Sequence, residues 1–116
     1  MSTTAISKLA PFEFKLEPDA VDAATYTLKP LSGLEHMEVM ASNEINEQGQ
    51  IVYTGRSLRM AIKYGLKGWD GVCDADGEAL GYSHANVERL PPLDLHRIAN
   101  EILRRSEITG EERKNS

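Results

Sequence analysis

The sequence contains one cysteine, Cys73, among its 116 residues. An intramolecular disulfide is therefore impossible, and a zinc site built from several cysteines is excluded. A lone thiol is typical of a reducing compartment, so we expect a cytoplasmic protein. The first ten residues carry a single lysine and no long apolar run, so we expect no signal peptide.

Long hydrophobic runs are also lacking. A membrane-spanning helix needs about 20 consecutive apolar residues, and no segment approaches that length, so we predict no membrane partner. Aromatic residues make up only 6% of the chain against 41% for all hydrophobic residues. The core is therefore predicted to be mainly aliphatic.

Positive charge is in the minority. The chain has 13 Lys and Arg residues against 18 Asp and Glu residues, which gives a net charge of −5. An acidic protein repels the phosphate backbone unless a local basic patch overrides the balance. Nucleic acid is therefore an unlikely class of partner on composition alone.

Recognisable catalytic motifs are missing as well. The sequence contains no Gly-x-Ser-x-Gly elbow, no His-Glu-x-x-His pair and no glycine-rich phosphate loop. Its three histidines, His36, His84 and His96, fall in three different predicted elements. We therefore predict a protein that is not an enzyme, has no catalytic residues and needs no cofactor.

An acidic cluster around residue 76 suggests a cation site at first sight. In a helix–loop–helix calcium site the glycine stands at position 6 and acids stand at positions 1, 3, 5 and 12. With Gly77 at position 6, Asp74 and Asp76 fit, but Val72 and Ser83 occupy positions 1 and 12. We therefore predict a solvated Asp-Gly turn and no metal ligand.

Two short segments near the N-terminus alternate apolar and polar residues, as half-buried strands do. They are 12–16 and 25–28, and a Pro18-Asp19 turn lies between them. We predict that they pair as a small antiparallel ladder.

Helical spacing dominates the rest of the chain. A capping-box pattern at Ser32 to Glu35 predicts a helix over 32–46, and Thr54 is a plausible N-cap for a second helix. The apolar stripe of the first helix is Leu34, Met37, Ala41 and Ile45, and that of the second is Leu58, Ala61, Ile62, Leu66 and Trp69.

The C-terminal half begins with the Asp-Gly turn, which is predicted to be hairpin-like. Ser83 is predicted to cap a short helix that reaches Leu90, and Pro92 to occupy the first position of the last helix. The buried face of that helix is predicted to be Leu95, Ile98, Ala99, Ile102 and Leu103.

Together these elements predict an α+β fold that is mainly α. A small N-terminal antiparallel strand pair is followed by three to four helices, with the hairpin-like Asp-Gly turn near residue 76. We predict a flexible arm over 1–11, a single globular domain over 12–108 and a flexible tail over 109–116.

One charged pattern stands out as a candidate site. Residues Arg56, Arg59, Lys63 and Lys67 step by three and four, which would place them on one face of the second helix. This face is either solvated and paired with the chain's own acids, or it docks an acidic helix or a neighbouring subunit. Trp69 completes the set of candidate protein contacts.

The methionines leave two interpretations open. Met37 and Met40 lie on the first predicted helix and Met60 on the second. At helical spacing methionine fills cores, but it also serves on surfaces that adapt to a partner. Helix-in-groove recognition would use the Met37/Met40 region or the exposed edge of the Leu58–Leu66 stripe.

The order of motifs from Lys67 to Ser116 resembles the small tail assembly chaperones of long-tailed bacteriophages and prophages. The resemblance is carried by Gly-Trp-Asp-Gly-Val at 68–72, the turn at 74–77, the Tyr-Ser pair at 82–83, Leu90-Pro91, and the helix that closes in Ile-Leu-Arg-Arg-Ser at 102–106. Gly68, Trp69, Gly71 and Gly77 carry most of it.

This resemblance implies a non-enzymatic assembly factor. Such a protein binds the tape-measure protein, a long helical and partly hydrophobic chain, and helps to recruit tail-tube subunits. It also implies a possible homo-oligomer. The main alternative is a structural virion component, such as a head–tail joining or tail-terminator protein. A small nucleic-acid-binding regulator is a further alternative, which rests only on the basic pattern.

Overall fold

A computed structural model describes residues 9–20 and 23–115, with side chains placed as far as Ser106. Residues 1–8 of the predicted arm lie outside this range. The elements, in chain order, are β1 (Phe12–Lys15), β2 (Thr25–Leu28), α1 (Gly33–Ala41), β3 (Glu44–Ile45), β4 (Ile51–Val52), α2 (Gly55–Gly65), β5 (Leu66–Asp70), α3 (His84–Val87) and α4 (Pro92–Asn115).

A three-stranded antiparallel sheet forms one layer of the fold, in the order β1-β2-β5. Phe14 lies opposite Tyr26, and Tyr26 lies opposite Trp69, so one apolar face runs across all three strands. The helices cover this face, and Tyr26 and Leu28 are buried beneath them. The α+β class and the predicted strand pair are confirmed.

The third strand corrects the predicted length of the second helix. That helix was expected to continue through Leu66, but α2 ends at Gly65 and β5 begins at Leu66. The reason is the ladder with β2, which provides backbone partners for 66–70 that a helix would otherwise supply. Lys29 N–H also donates to the Gly65 carbonyl at 2.7 Å, where the chain changes direction.

The first helix is also shorter than predicted. It was expected to reach Asn46 but ends at Ala41, and a small hairpin of β3 and β4 follows. The helix closes with hydrogen bonds from Ser42 N–H to the Val39 carbonyl and from Asn43 N–H to the Met40 carbonyl, and Asn46 Oδ1 then forms the hairpin loop by accepting from the backbone N–H groups of Gln48 and Gln50. Gly49 completes the turn with a φ of 78°.

The Asp-Gly turn repeats this loop and confirms the predicted hairpin-like turn. Asp74 Oδ1 accepts from the backbone N–H groups of Asp76 and Glu78, and Gly77 has a φ of 81°. A bridge between Cys73 and Ala79 closes the loop. Both loops therefore have an Asn or Asp first and a glycine three residues later.

The C-terminal helices begin where the sequence indicates. Ser83 caps α3, which ends at Val87 rather than reaching Leu90, and Pro92 is the first residue of α4. The predicted face of α4 is confirmed, since Ile98 and Ile102 are fully buried. The rest of that face is Leu95, Ala99 and Leu103, of which Ala99 and Leu103 are buried and Leu95 is half-buried.

The backbone of α4 is helical to Asn115, beyond residue 108 where the domain was predicted to end. Glu, Arg and Lys are good helix formers and fill much of 107–114, so local propensity favours the extension. The flexibility predicted for 109–116 stays a prediction.

Helices α2 and α4 pack through a face of small side chains. Ser57, Ala61 and Gly65 follow one another at intervals of four residues, and Ser57 and Ala61 have no exposed surface. A Cβ atom built on Gly65 would lie 2.6 Å from Cγ2 of Ile102 and 2.9 Å from its Cγ1. Only glycine permits this approach of the two helices.

The capping box predicted at Ser32 to Glu35 is present at the start of α1. Glu35 N–H donates to Ser32 Oγ, and Glu35 Oε1 accepts from Ser32 N–H and from Lys29 Nζ, both at 2.9 Å. Burial alone would raise the pKa of the Glu35 carboxyl, but the hydrogen bonds from Ser32 and Lys29 together with the Lys29 charge lower it overall.

We predict that Gly65→Ala lowers the free energy of unfolding by about 1–3 kcal/mol, because the new methyl group overlaps the buried Ile102 side chain. Ile102→Ala removes the overlapping atoms, so the double variant should be more stable than the sum of the two single effects predicts. Urea unfolding of the four proteins measures this coupling.

The matched control is Gly33→Ala. Gly33 is the first residue of α1, and a Cβ atom built on it has no neighbour within 4 Å. The free energy of unfolding of the Gly33→Ala variant should be equal to that of the parent protein or slightly higher. Simple additivity of Gly65→Ala and Ile102→Ala would contradict the proposed overlap.

We further predict that Glu35→Gln lowers the free energy of unfolding by about 0.5–1 kcal/mol at pH 7. The lowered pKa of Glu35 means that its contribution is complete above the ordinary value of about 4.5 and is lost as the pH falls below it. The difference from the parent protein should therefore shrink at pH 3. Glu44→Gln, which removes an exposed carboxylate, is the control, and an equal loss in both variants at pH 7 would refute the role of Glu35.

Candidate protein-binding surface

The outward face of α2 carries the basic residues that the sequence singles out. Arg56, Arg59 and Lys63, which we call the basic stripe, lie on the side opposite the small face and are exposed. Within the described residues no carboxylate lies at ion-pair distance from any of them. Lys63 Nζ lies 5.7 Å from the centre of the Tyr64 ring. The interpretation that the chain's own acids neutralise this face therefore finds no support in the described part of the chain.

Lys67 does not belong to the stripe. It was predicted on the same helical face, but it lies on β5, because the strand begins at Leu66. Leu28 pairs with Leu66 and Thr27 with Gly68, so Lys67 is the extra residue of a bulge. Its side chain is exposed on the sheet, separate from the helix.

Trp69 is held by contacts within the fold. Its indole N–H donates to the Leu80 carbonyl at 2.6 Å, and its ring packs edge-on against Tyr26 and Tyr82. Tyr82 in turn donates its hydroxyl to the Leu66 carbonyl at 2.8 Å. Trp69 therefore joins the loop over 71–82 to the sheet, and it is only half-buried.

A groove of about 530 Å³ runs beside the basic stripe. Leu58 and Ile62 of α2 form one wall, with Arg59 at its edge. The opposite wall comes from the end of α3 and the beginning of α4. Its residues are Val87, Glu88, Pro92, Leu95 and His96. The floor is thus apolar, with the cation Arg59 on one wall and the exposed acid Glu88 on the other, which suits an amphipathic ligand.

A second surface is found on α1, where the predicted apolar stripe faces outward. Leu34 is 78% exposed and Met37 is 67% exposed, whereas Val39 on the other side of the helix is fully buried. The core-filling interpretation is therefore wrong for Met37. We call Leu34, Met37 and the exposed Ala41 the α1 stripe, with Glu38 beside it.

The β3–β4 hairpin extends the set of exposed apolar side chains. Ile45 and Ile51 lie directly opposite each other in the ladder, and they are 74% and 56% exposed. Single exposed apolar residues are ordinary, and several on consecutive elements make this a candidate surface for a partner. The sequence indicates the Met37/Met40 region as one possible partner surface, but it places Ile45 on the first helix, so the hairpin part of this surface was not predicted.

Metal and membrane sites find no support in the described residues. In this part of the chain no group of three or more His, Cys, Asp or Glu side chains could hold a metal ion. Among the helices described, none has the length and apolar character that crossing a membrane requires. Asp74 uses its carboxylate to close its own turn.

Comparison with known proteins provides no relative. No protein family, curated protein or solved structure matches the chain. The candidate surfaces therefore rest on the geometry of its own residues.

We predict that the double variant Leu34→Gln, Met37→Gln unfolds within about 0.5 kcal/mol of the parent protein, because both side chains are mostly exposed and glutamine is a good helix former. Val39→Ala should cost about 2 kcal/mol, since it removes fully buried methyl groups from the same helix. Thermal and urea unfolding compare the two. A larger loss for the outward double variant than for Val39→Ala would show that the faces of α1 are assigned the wrong way round.

Proposed function

We propose that this chain is a non-enzymatic assembly factor that binds an amphipathic helix of another protein in the groove beside α2. The observation that carries the proposal is the apolar wall of Leu58 and Ile62 next to a row of cations without carboxylate partners among the described residues. Helix-in-groove recognition uses this combination of an apolar floor and a charged edge.

Charge defines the kind of helix that fits. Arg59 stands at the edge of the groove, and Arg56 and Lys63 extend the positive charge along α2. A ligand helix with a carboxylate flank next to its apolar stripe would place opposite charges together and thereby fix its register. Long-range attraction to the stripe would also speed association at low salt.

The resemblance to tail assembly chaperones suggests the client. A tape-measure protein is a long, helical and partly hydrophobic chain, so it offers many segments of the required kind. A chaperone of this type would keep the client soluble by covering apolar stripes and would recruit tail-tube subunits while bound. The chain's net charge of −5 helps such a complex to stay dispersed.

The test is co-expression with a phage tape-measure protein, the long, helix-rich kind of client that is proposed. We predict that the client is insoluble when it is expressed alone. When the two proteins are expressed together, the client should be soluble and co-purify with the chain. The double variant Arg59→Glu, Lys63→Glu should raise the Kd of the complex at least tenfold, which corresponds to about 1.4 kcal/mol or more. The reason is that it reverses the charge of Arg59 at the groove and of Lys63 beside it. Isothermal titration calorimetry with soluble client fragments measures the affinity.

The matched control is Lys15→Glu with Lys67→Glu. It changes the net charge by the same amount, but both residues are exposed on strands of the sheet and lie outside the basic stripe. This variant should bind like the parent. Equal binding by all three proteins would remove the α2 groove from the proposal, and the absence of any complex would refute the chaperone function. A DNA or RNA shift at physiological salt, abolished by the α2 variant alone, would favour a nucleic-acid regulator instead.

A further inference from the structure

The two walls of the groove beside α2 carry opposite charges. Arg59 stands on the α2 wall, and Glu88, the C-cap residue of α3, stands on the opposite wall. Both side chains are exposed, and within the described residues neither lies at ion-pair distance from a group of opposite charge. Each charge is therefore available to a ligand that lies between the walls.

These two residues set the charge of the groove by themselves. Among the described residues that line it, Arg59 and Glu88 are the only Lys, Arg, Asp or Glu. Arg89 follows Glu88 in the chain but lines a different pocket, and Arg56 lines the pocket that also contains Glu44. The groove thus has one cationic wall and one anionic wall.

The α2 wall is long enough for about two turns of a ligand helix. Gly55, Leu58 and Ile62 line it at intervals of three and four residues, which corresponds to about 10 Å along the helix axis. Arg59 lies within this length. A ligand helix that covers Leu58 and Ile62 with its apolar stripe therefore has one side next to Arg59 and the other side next to Glu88.

The two sides of a ligand helix are chemically independent. When apolar residues occupy positions a and d of a heptad, positions e and g lie on opposite sides of that stripe. Acids on both sides would suit Arg59 but would bring a carboxylate to Glu88, and bases on both sides would do the reverse. Like charges at an interface are unfavourable. A helix with acids on one side and bases on the other is attracted by both walls.

We propose that the groove selects a helix with unlike charges on the two sides of its apolar stripe, the acidic side next to Arg59 and the basic side next to Glu88. The inference rests on the proposed function, since it specifies the client helix that the groove accepts. It also fixes the direction of the bound helix, because reversing a helix in a groove exchanges its two sides. Arg59 and Glu88 thus determine which helix binds and which way it runs.

The test uses three designed helical peptides that share leucine at positions a and d. The first has Glu at e and Lys at g, the second has Glu at both positions, and the third has Lys at both. The assay is run at low salt and at pH 8, above the range in which histidine ordinarily gains a proton. The parent protein should bind the Glu/Lys peptide at least about threefold more tightly than either of the others. Isothermal titration calorimetry measures the three affinities.

Two variants of the walls make the test specific. Glu88→Arg makes both walls cationic, so the Glu/Glu peptide should become the tightest ligand. The double variant Arg59→Glu, Glu88→Arg leaves the net charge at −5 and should restore the preference for the Glu/Lys peptide, now bound in the opposite direction. A nitroxide at the peptide N-terminus reports the direction, since it broadens the amide signal of Gly55 at one end of the wall or of Ile62 at the other.

The matched control for Glu88→Arg is Glu13→Arg. Glu13 is exposed on β1 and does not line the groove, so this variant changes the net charge equally and should keep the preference of the parent protein. Unfolding curves verify that each variant is folded.

The outcomes separate this inference from the proposed function. Three results would overturn the inference alone: the parent binds the Glu/Glu peptide as tightly as the Glu/Lys peptide, Glu88→Arg keeps the order of the parent, or the nitroxide stays at the same end in the double variant. In each case peptides still bind, and the groove remains the client site. If none of the three peptides binds, the groove is not a helix-binding site, and the inference and the proposed function are both wrong.

Discussion

The close approach of Gly65 to Ile102 is the contact on which the rest of the structure depends. Because α2 presents Gly65 to Ile102 of α4, the two helices lie close together at this point, and Ile98 and Ile102 are fully buried in the core. The chain must also leave the helix at this point, since Leu66 enters the ladder with β2 directly after Gly65. One glycine thus joins the helix pair to the sheet.

This packing determines which parts of α2 remain available to a partner. The small face is used by α4, and the flank with Met60 and Tyr64 is used by α1. What remains is the basic stripe and the flank with Leu58 and Ile62, which lies opposite the beginning of α4 and so forms a groove rather than a flat surface. The candidate site is therefore a consequence of how the core is packed.

The parts of the fold that could be predicted are those with short-range causes. Caps at Ser32, Thr54 and Ser83, and the first-turn proline of α4, depend on residues within three or four positions. The ends of α1 and α2 could not be predicted, because the strands that follow them are defined by pairing: 66–70 pairs with β2, which is distant in sequence, and 44–45 pairs with β4. The basic stripe was predictable for Arg56, Arg59 and Lys63 by spacing alone. The outward orientation of Leu34 and Met37 was not, since periodicity leaves the inner side of a helix undefined.

The net charge of −5 hides the local concentration of positive charge on α2. Averaged over the chain it indicates only repulsion between copies and from anionic partners. The cations of α2 are nevertheless concentrated on its outward face, where Arg59 lies beside the groove and Arg56 lines a pocket together with Glu44. Salt largely screens exposed charges that are more than about 8 Å apart at physiological ionic strength, and contacts between a helix and its groove are shorter than that. Local complementarity at the groove therefore outweighs the overall repulsion between the chain and an acidic client helix.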